Sequence, residues 1–149
     1  MQNVLIEKPY RFVPRIKEAW PQSLYCRLGL YKREIRRLQG VYKYECRHLD
    51  LLRDSLAAGH GIMLTPNHPR TADPISIYFL CREAPISLYT MASWHLFKQG
   101  RLQRFVLRRI GAFSVYREGV DRQALQAGID ILQEARRPLV VFPEGVITR

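Results

Sequence analysis

At 149 residues the chain has the length of one domain, large enough to bury a core of its own. Its 24 Lys and Arg against 13 Asp and Glu leave a net charge of +11, a field that attracts phosphates on lipid, nucleic acid or small molecules and says nothing about fold. The three cysteines, Cys26, Cys46 and Cys81, are too few and too widely spaced for a zinc site or a disulfide framework, and no apolar run approaches the roughly 18 residues of a membrane span.

An odd, scattered set of cysteines suits a reducing compartment, here expected to be the cytoplasm. The segment from Met1 to Pro9 lacks the basic-then-apolar pattern of an export signal. Any contact with a membrane is therefore expected to be peripheral.

In chain order, residues 1–22 carry Pro9, Pro14 and Pro21 and read as an irregular lead-in. Over residues 23–39, Leu24, Leu28, Tyr31, Ile35 and Leu38 recur at helical spacing. Arg27, Lys32, Arg33, Arg36 and Arg37 fill the positions between them. Such a basic amphipathic helix either lies on an anionic membrane surface or packs its leucines on the core with arginines in water. Gly40 is placed to end it. A second helix is expected over 49–58, followed by the break Gly59-His60-Gly61 and a short strand over 62–65. An apolar helix with Ile75, Ile77, Tyr78, Phe79 and Leu80 comes next, then a strand over 86–91, a basic helix over 95–109 and a strand over 112–116. A helix over 121–136 carries Leu125, Ile129 and Leu132 on one stripe, and Pro138 introduces a buried strand over 139–142. Strands alternating with helices indicate an α/β fold, a mostly parallel sheet flanked by helices. The division expected is a basic, partly helical segment over 1–45 and an α/β domain over 46–149.

The segment from Leu64 to Pro74 places His68 and Asp73 five residues apart among Pro66, Pro69 and Pro74. On an unbroken helix that spacing turns about 140° and separates the two side chains. The prolines push Thr65, His68 and Asp73 towards extended backbone, so the loop can fold back and bring carboxylate to imidazole. Asp73 is expected as the N-cap of the next helix, with Pro74 at its first position. The competing reading is a capped helix start beside a chance histidine.

Ligands in open α/β sheets bind beyond the carboxyl ends of the strands. The first expected strand runs into Asn67-His68, the third into Tyr116-Arg117 and the last into Pro143-Glu144-Gly145. A base, a cation and a carboxylate at one rim suit an anionic substrate that carries a nucleophilic hydroxyl. His48, His60 and His95 lack any such setting and read as surface or packing residues. Ser76 and Cys81 lack a nucleophile elbow, and no P-loop, dinucleotide fingerprint or metal-binding helix occurs.

Asn67-His68 followed by Asp73 resembles the NHxxxxD motif of the glycerolipid acyltransferase family. Gly111-Ala112-Phe113-Ser114-Val115-Tyr116-Arg117 is similar to that family's second motif, and Phe142-Pro143-Glu144-Gly145 matches its FPEG motif. The resemblance covers roughly residues 55–149. It implies transfer of a fatty acyl group from acyl-CoA or acyl carrier protein to the hydroxyl of a phosphorylated glycerol acceptor in phospholipid synthesis. His68 would be the general base and Asp73 would orient it, a hydrolase triad without the serine. Arg117 would grip the acceptor phosphate, while Asn67, Glu144 and Gly145 would shape the acceptor site. No metal or cofactor is implied beyond the acyl thioester co-substrate. The partners expected are that donor, the phosphorylated acceptor and an anionic membrane on its cytoplasmic face, with no nucleic acid.

Each role has a plainer competitor. Arg117 next to Glu118 could be a solvated surface pair, and Glu144 could serve only its turn. The chain departs from the family where Ser114 replaces a bulky apolar residue and where Val146-Ile147-Thr148 displaces the next arginine to Arg149. Family members continue with more sheet, so a C-terminally short fold is expected. A second reading follows from that: an inactive acyltransferase-like module that binds anionic lipid.

Overall fold

The computed structural model describes residues 9–144. Four parallel strands form its sheet: β1 (Met63–Leu64), β2 (Tyr89–Ser93), β3 (Ala112–Val115) and β4 (Leu139–Val140). Their order is β1-β4-β2-β3, with Leu64 opposite Val140, Thr90 opposite Val140 and Met91 opposite Phe113. The helices are α1 (Trp20–Leu28), α2 (Leu30–Gln39), α3 (Leu49–Ala57), α4 (Asp73–Glu83), α5 (Trp94–Lys98), α6 (Arg101–Arg109) and α7 (Arg122–Glu134). The expected α/β class with helices on both faces is what forms.

Strand alternation assigns the two faces. Leu88 and Val140 point into a core shared with Tyr31 and Ile35 of α2 and Tyr78 and Phe79 of α4. Tyr89, Phe113 and Leu139 point the other way, onto Ala124 and Ile131 of α7. A fully buried Phe113 contributes roughly 1.5–3 kcal/mol through its burial alone. A third cluster joins Val13 to Trp94, Phe97 and Ala112.

Several boundaries differ from expectation. The helix expected over 23–39 is two helices, because Gly29 adopts φ 64° and serves at once as C-cap of α1 and N-cap of α2. The break splits the apolar row: Tyr31 and Ile35 are fully buried, whereas Leu24 and Leu28 are 46% and 61% exposed. The helix expected over 95–109 is likewise divided at Gly100, φ 146°. On α7 the buried row is Ala124, Gly128 and Ile131, one position off the expected stripe, and Leu125 and Ile129 are exposed. Small residues explain the rotation. A Cβ on Gly128 would stand 3.4 Å from Leu139, so the helix lies close to the sheet and turns its larger side chains outward. The second strand starts and ends later than expected, at Tyr89 and Ser93.

The lead-in is part of the core. Ser114 donates its backbone N–H to the Val13 carbonyl (3.0 Å), and its Oγ accepts from the Val13 N–H (2.7 Å). This is why a hydroxyl stands where an apolar residue was expected. Gln22 is 1% exposed; its amide nitrogen donates to the Leu88 and Ile110 carbonyls (3.1 and 2.6 Å) and its oxygen accepts from Leu88 N–H (2.9 Å). That clamp needs Gly111, whose φ is 94° and where a Cβ would sit 2.4 Å from the Leu88 oxygen.

Candidate active site

All four strands deliver a polar side chain to the same rim. His68 follows β1, His95 follows β2, Arg117 follows β3, and Phe142 and Glu144 follow β4. A cavity of about 630 Å³ opens there, lined by His68, His95 and Arg117 among mainly apolar residues such as Ile75, Leu107 and Val115. That volume lies in the range of small-molecule sites.

The proline-shaped loop does fold back. His68 Nδ1 lies 3.4 Å from Asp73 Oδ2, and both side chains are largely shielded, at 16% and 23% exposure. The same carboxylate oxygen accepts the Arg70 N–H at 2.7 Å. Asp73 is the first residue of α4 rather than its N-cap, a position held by Ala72. The extra turn at Arg70–Ala72 carries the carboxylate back over the loop, where it caps Arg70 instead of the helix. A carboxylate only accepts, so Nδ1–H is the donor of this contact and Nε2 is the ring nitrogen turned away from Asp73.

The last strand holds the loop from its other side. Phe142 packs its ring against the imidazole, centroids 4.6 Å apart and planes tilted by 42°, and Glu144 Oε2 accepts the His68 backbone N–H at 2.6 Å. Glu144 therefore anchors the histidine's own backbone, across 76 residues. Asn67 is exposed on the loop beside His68. Arg117 is exposed at the rim and lines the cavity. Glu118 accepts from the Tyr116 hydroxyl (2.9 Å) and stands 3.7 Å from His95 Nε2. Gly145 and Arg149 lie outside the described residues.

Two groups went unforeseen. His95 lines the cavity, and the rule that polar residues past a strand end line sites would have found it had β2 been expected to reach Ser93. Asp121 is the other. It is 8% exposed and accepts from Tyr10 OH (2.5 Å), Tyr116 N–H (2.9 Å) and Ala124 N–H (3.0 Å), so it caps α7 and fixes the residue before Arg117. Burial, with the bond to Asp121 next, pushes the Tyr10 hydroxyl up to about 12. Burial on its own would raise the Asp121 carboxyl, but those hydrogen bonds outweigh it and hold the group below its usual value. Tyr78, on the cavity wall, donates to the Ile110 carbonyl (3.2 Å), and burial pushes its hydroxyl well above the usual range.

A family model described as Acyltransferase matches residues 44–149. The chain belongs to the acyltransferase family. Neither curated proteins nor solved structures give a match. The match spans the His68 loop, all four strands and both ends of the cavity-lining segment, so the rim of this acyltransferase lies wholly within it. Family membership sets the reaction class as transfer of an acyl group.

Proposed function

We propose that this acyltransferase moves a fatty acyl group from acyl-CoA or acyl carrier protein to the hydroxyl of a glycerol-phosphate-type acceptor, with His68 as general base oriented by Asp73. The observation that carries the reading is the Asp73–His68 pair, 3.4 Å apart, with its imidazole on the wall of an apolar cavity that also presents Arg117. The wall suits an acyl chain and the guanidinium suits a phosphate. The 3.4 Å contact is long for a hydrogen bond, as such contacts commonly are before substrate tightens them.

In the proposed reaction the acceptor oxygen attacks the thioester carbonyl carbon as its proton passes to His68 Nε2. The tetrahedral intermediate collapses, the C–S bond breaks, and the same proton passes from Nε2 to the departing sulfur. The products are an ester and a thiol, and His68 returns to its starting state. Asp73 holds the tautomer and stabilises the transient imidazolium. Arg117 binds the acceptor phosphate, while Asn67, Glu144 and Gly145 complete the acceptor side. General-base action is worth roughly 10²–10⁴-fold, and the greater share comes from holding both substrates in place. Among the described residues no helix is long and apolar enough to cross a membrane. We place the enzyme peripherally on the cytoplasmic face, where its net charge of +11 favours anionic lipid.

The test is transfer from a labelled acyl thioester to glycerol 3-phosphate and to lysophosphatidic acid. His68→Ala should lower transfer by at least about 10²-fold. Equal thioester consumption by the variant and the natural chain would refute the assignment of His68.

A further inference from the structure

Two basic helices treat their apolar residues in opposite ways. α2 exposes Leu30 at its start but buries Tyr31 and Ile35 completely and leaves Arg33, Arg36 and Arg37 to water, as an ordinary surface helix does. α6 does the reverse. Leu102 is 77% exposed, Phe105 56% and Val106 42%, while Gln103 and Leu107 are partly buried on its inner face and Arg108 and Arg109 in its last turn. At 100° per residue the exposed positions from 101 to 106 sweep about 200° of arc. Within that arc Leu102, Phe105 and Val106 form one strip, and the exposed Arg101 and Arg104 form the strip beside it, while the partly buried Arg108 donates its Nε–H to the Pro14 carbonyl (3.3 Å). The helix sequence, RLQRFVLRR, holds no acidic residue. Arg109, partly buried one turn on, lays its guanidinium over the Phe105 ring at 5.0 Å.

Exposing three large apolar side chains to water has no folding benefit, so this face calls for a cover. An apolar strip beside an arginine strip does match the boundary between acyl chains and anionic headgroups. The same two helices border the cavity: Leu96 of α5 is 38% exposed and lines it, as does Leu107 on the inner face of α6. We infer that α6, with Leu96, is the element that seats this protein on an anionic bilayer, its apolar strip among the acyl chains and its arginines at the phosphates. The seat rests on the peripheral placement proposed above and names the element responsible for it. Its corollary, that an acyl chain reaches the cavity past Leu96 and Leu107, rests also on the proposed reaction.

The test is flotation of the full chain with vesicles of phosphatidylcholine containing one quarter phosphatidylglycerol, and with pure phosphatidylcholine, in the absence of any thioester. The natural chain should bind the anionic vesicles and lose binding as salt rises. Arg101→Gln/Arg104→Gln should weaken that binding about 25-fold, a factor of about five for each charge near the surface. Leu102→Ser/Phe105→Ser should weaken it at least about tenfold. Trp20→Ser/Leu24→Ser, which alters the exposed residues of α1 (62% and 46%), should bind as the natural chain does. Since every substituted position is exposed, thermal midpoints should match. His68→Ala should keep full binding, so failure of the catalytic reading and failure of the docking reading give different patterns. The inference is overturned if the α6 variants bind undiminished, if the α1 variant loses binding in their place, or if the natural chain ignores anionic vesicles and the α6 changes instead abolish self-association or capture of an acidic protein.

Discussion

Replacing Asp121 removes the acceptor that three donors share beside the end of β3: Tyr10 OH, Tyr116 N–H and Ala124 N–H. In Asp121→Ala, loss of the α7 cap costs about 1 kcal/mol. The Tyr10 and Tyr116 donors, deprived of a charged acceptor at a position only 8% exposed, add about 1.5 kcal/mol each, for a total near 4 kcal/mol. Asparagine caps nearly as well as aspartate and keeps one acceptor oxygen, so Asp121→Asn should cost about half as much. The pH dependence separates charge from shape. Because the native carboxyl titrates below its usual value, the folded state binds a proton less readily than the unfolded chain, whose aspartate titrates near about 4. The carboxylate's contribution is therefore complete above that pH and is lost as pH falls through the lower native value. Urea unfolding of the natural chain, Asp121→Asn and Asp121→Ala at pH 7 and at intervals down to pH 3 measures both effects. The gap between the natural chain and Asp121→Asn should be widest at pH 7 and shrink below about pH 4. A gap that stays constant through that range, or an alanine variant no less stable than the asparagine one, would refute the reasoning.

Gln22→Leu should destabilise by about 3 kcal/mol, since Leu88 N–H and the Leu88 and Ile110 carbonyls all lose a buried partner; in a chain of this size calorimetry should show a midpoint lower by about 10 °C. Asp73→Asn should leave the fold and the acceptor KM largely intact while kcat falls at least about tenfold, because the imidazolium loses its carboxylate but Arg117 is untouched. A fall confined to KM would move Asp73 from the base to the binding of acceptor.

The parts of this fold that were legible in the sequence are those dictated by short stretches of chain. Apolar runs bounded by glycine and proline marked the strands, and the prolines around His68 announced a loop able to return Asp73 to the imidazole. Breaks at Gly29 and Gly100 were hidden because a lone glycine within a helical period is as often tolerated as obeyed. The buried face of α7 depended on how closely Gly128 lets the helix approach Leu139, a property of the packed pair. Most of what was missed joins residues distant in sequence: Gln22 to Leu88, Val13 to Ser114, Tyr10 to Asp121. None of those partners carries a local pattern. Glu144 was marked as a rim residue, yet its bond to the His68 backbone follows only from strand order.

That order has a consequence for assembly. β1 borders β4 and no other strand of the described sheet, so the segment leading to His68 has no ladder to join until residues 139–140 take their place. A chain growing from its N-terminus can pair β2 with β3 early, across about twenty residues, while β1 must wait for a strand some 75 positions later. Non-local pairing of this kind is slow. The histidine loop is thus the last part of the rim to be fixed in space, and a nascent or cleaved chain lacking β4 would hold a paired half-sheet with its proposed base still unanchored.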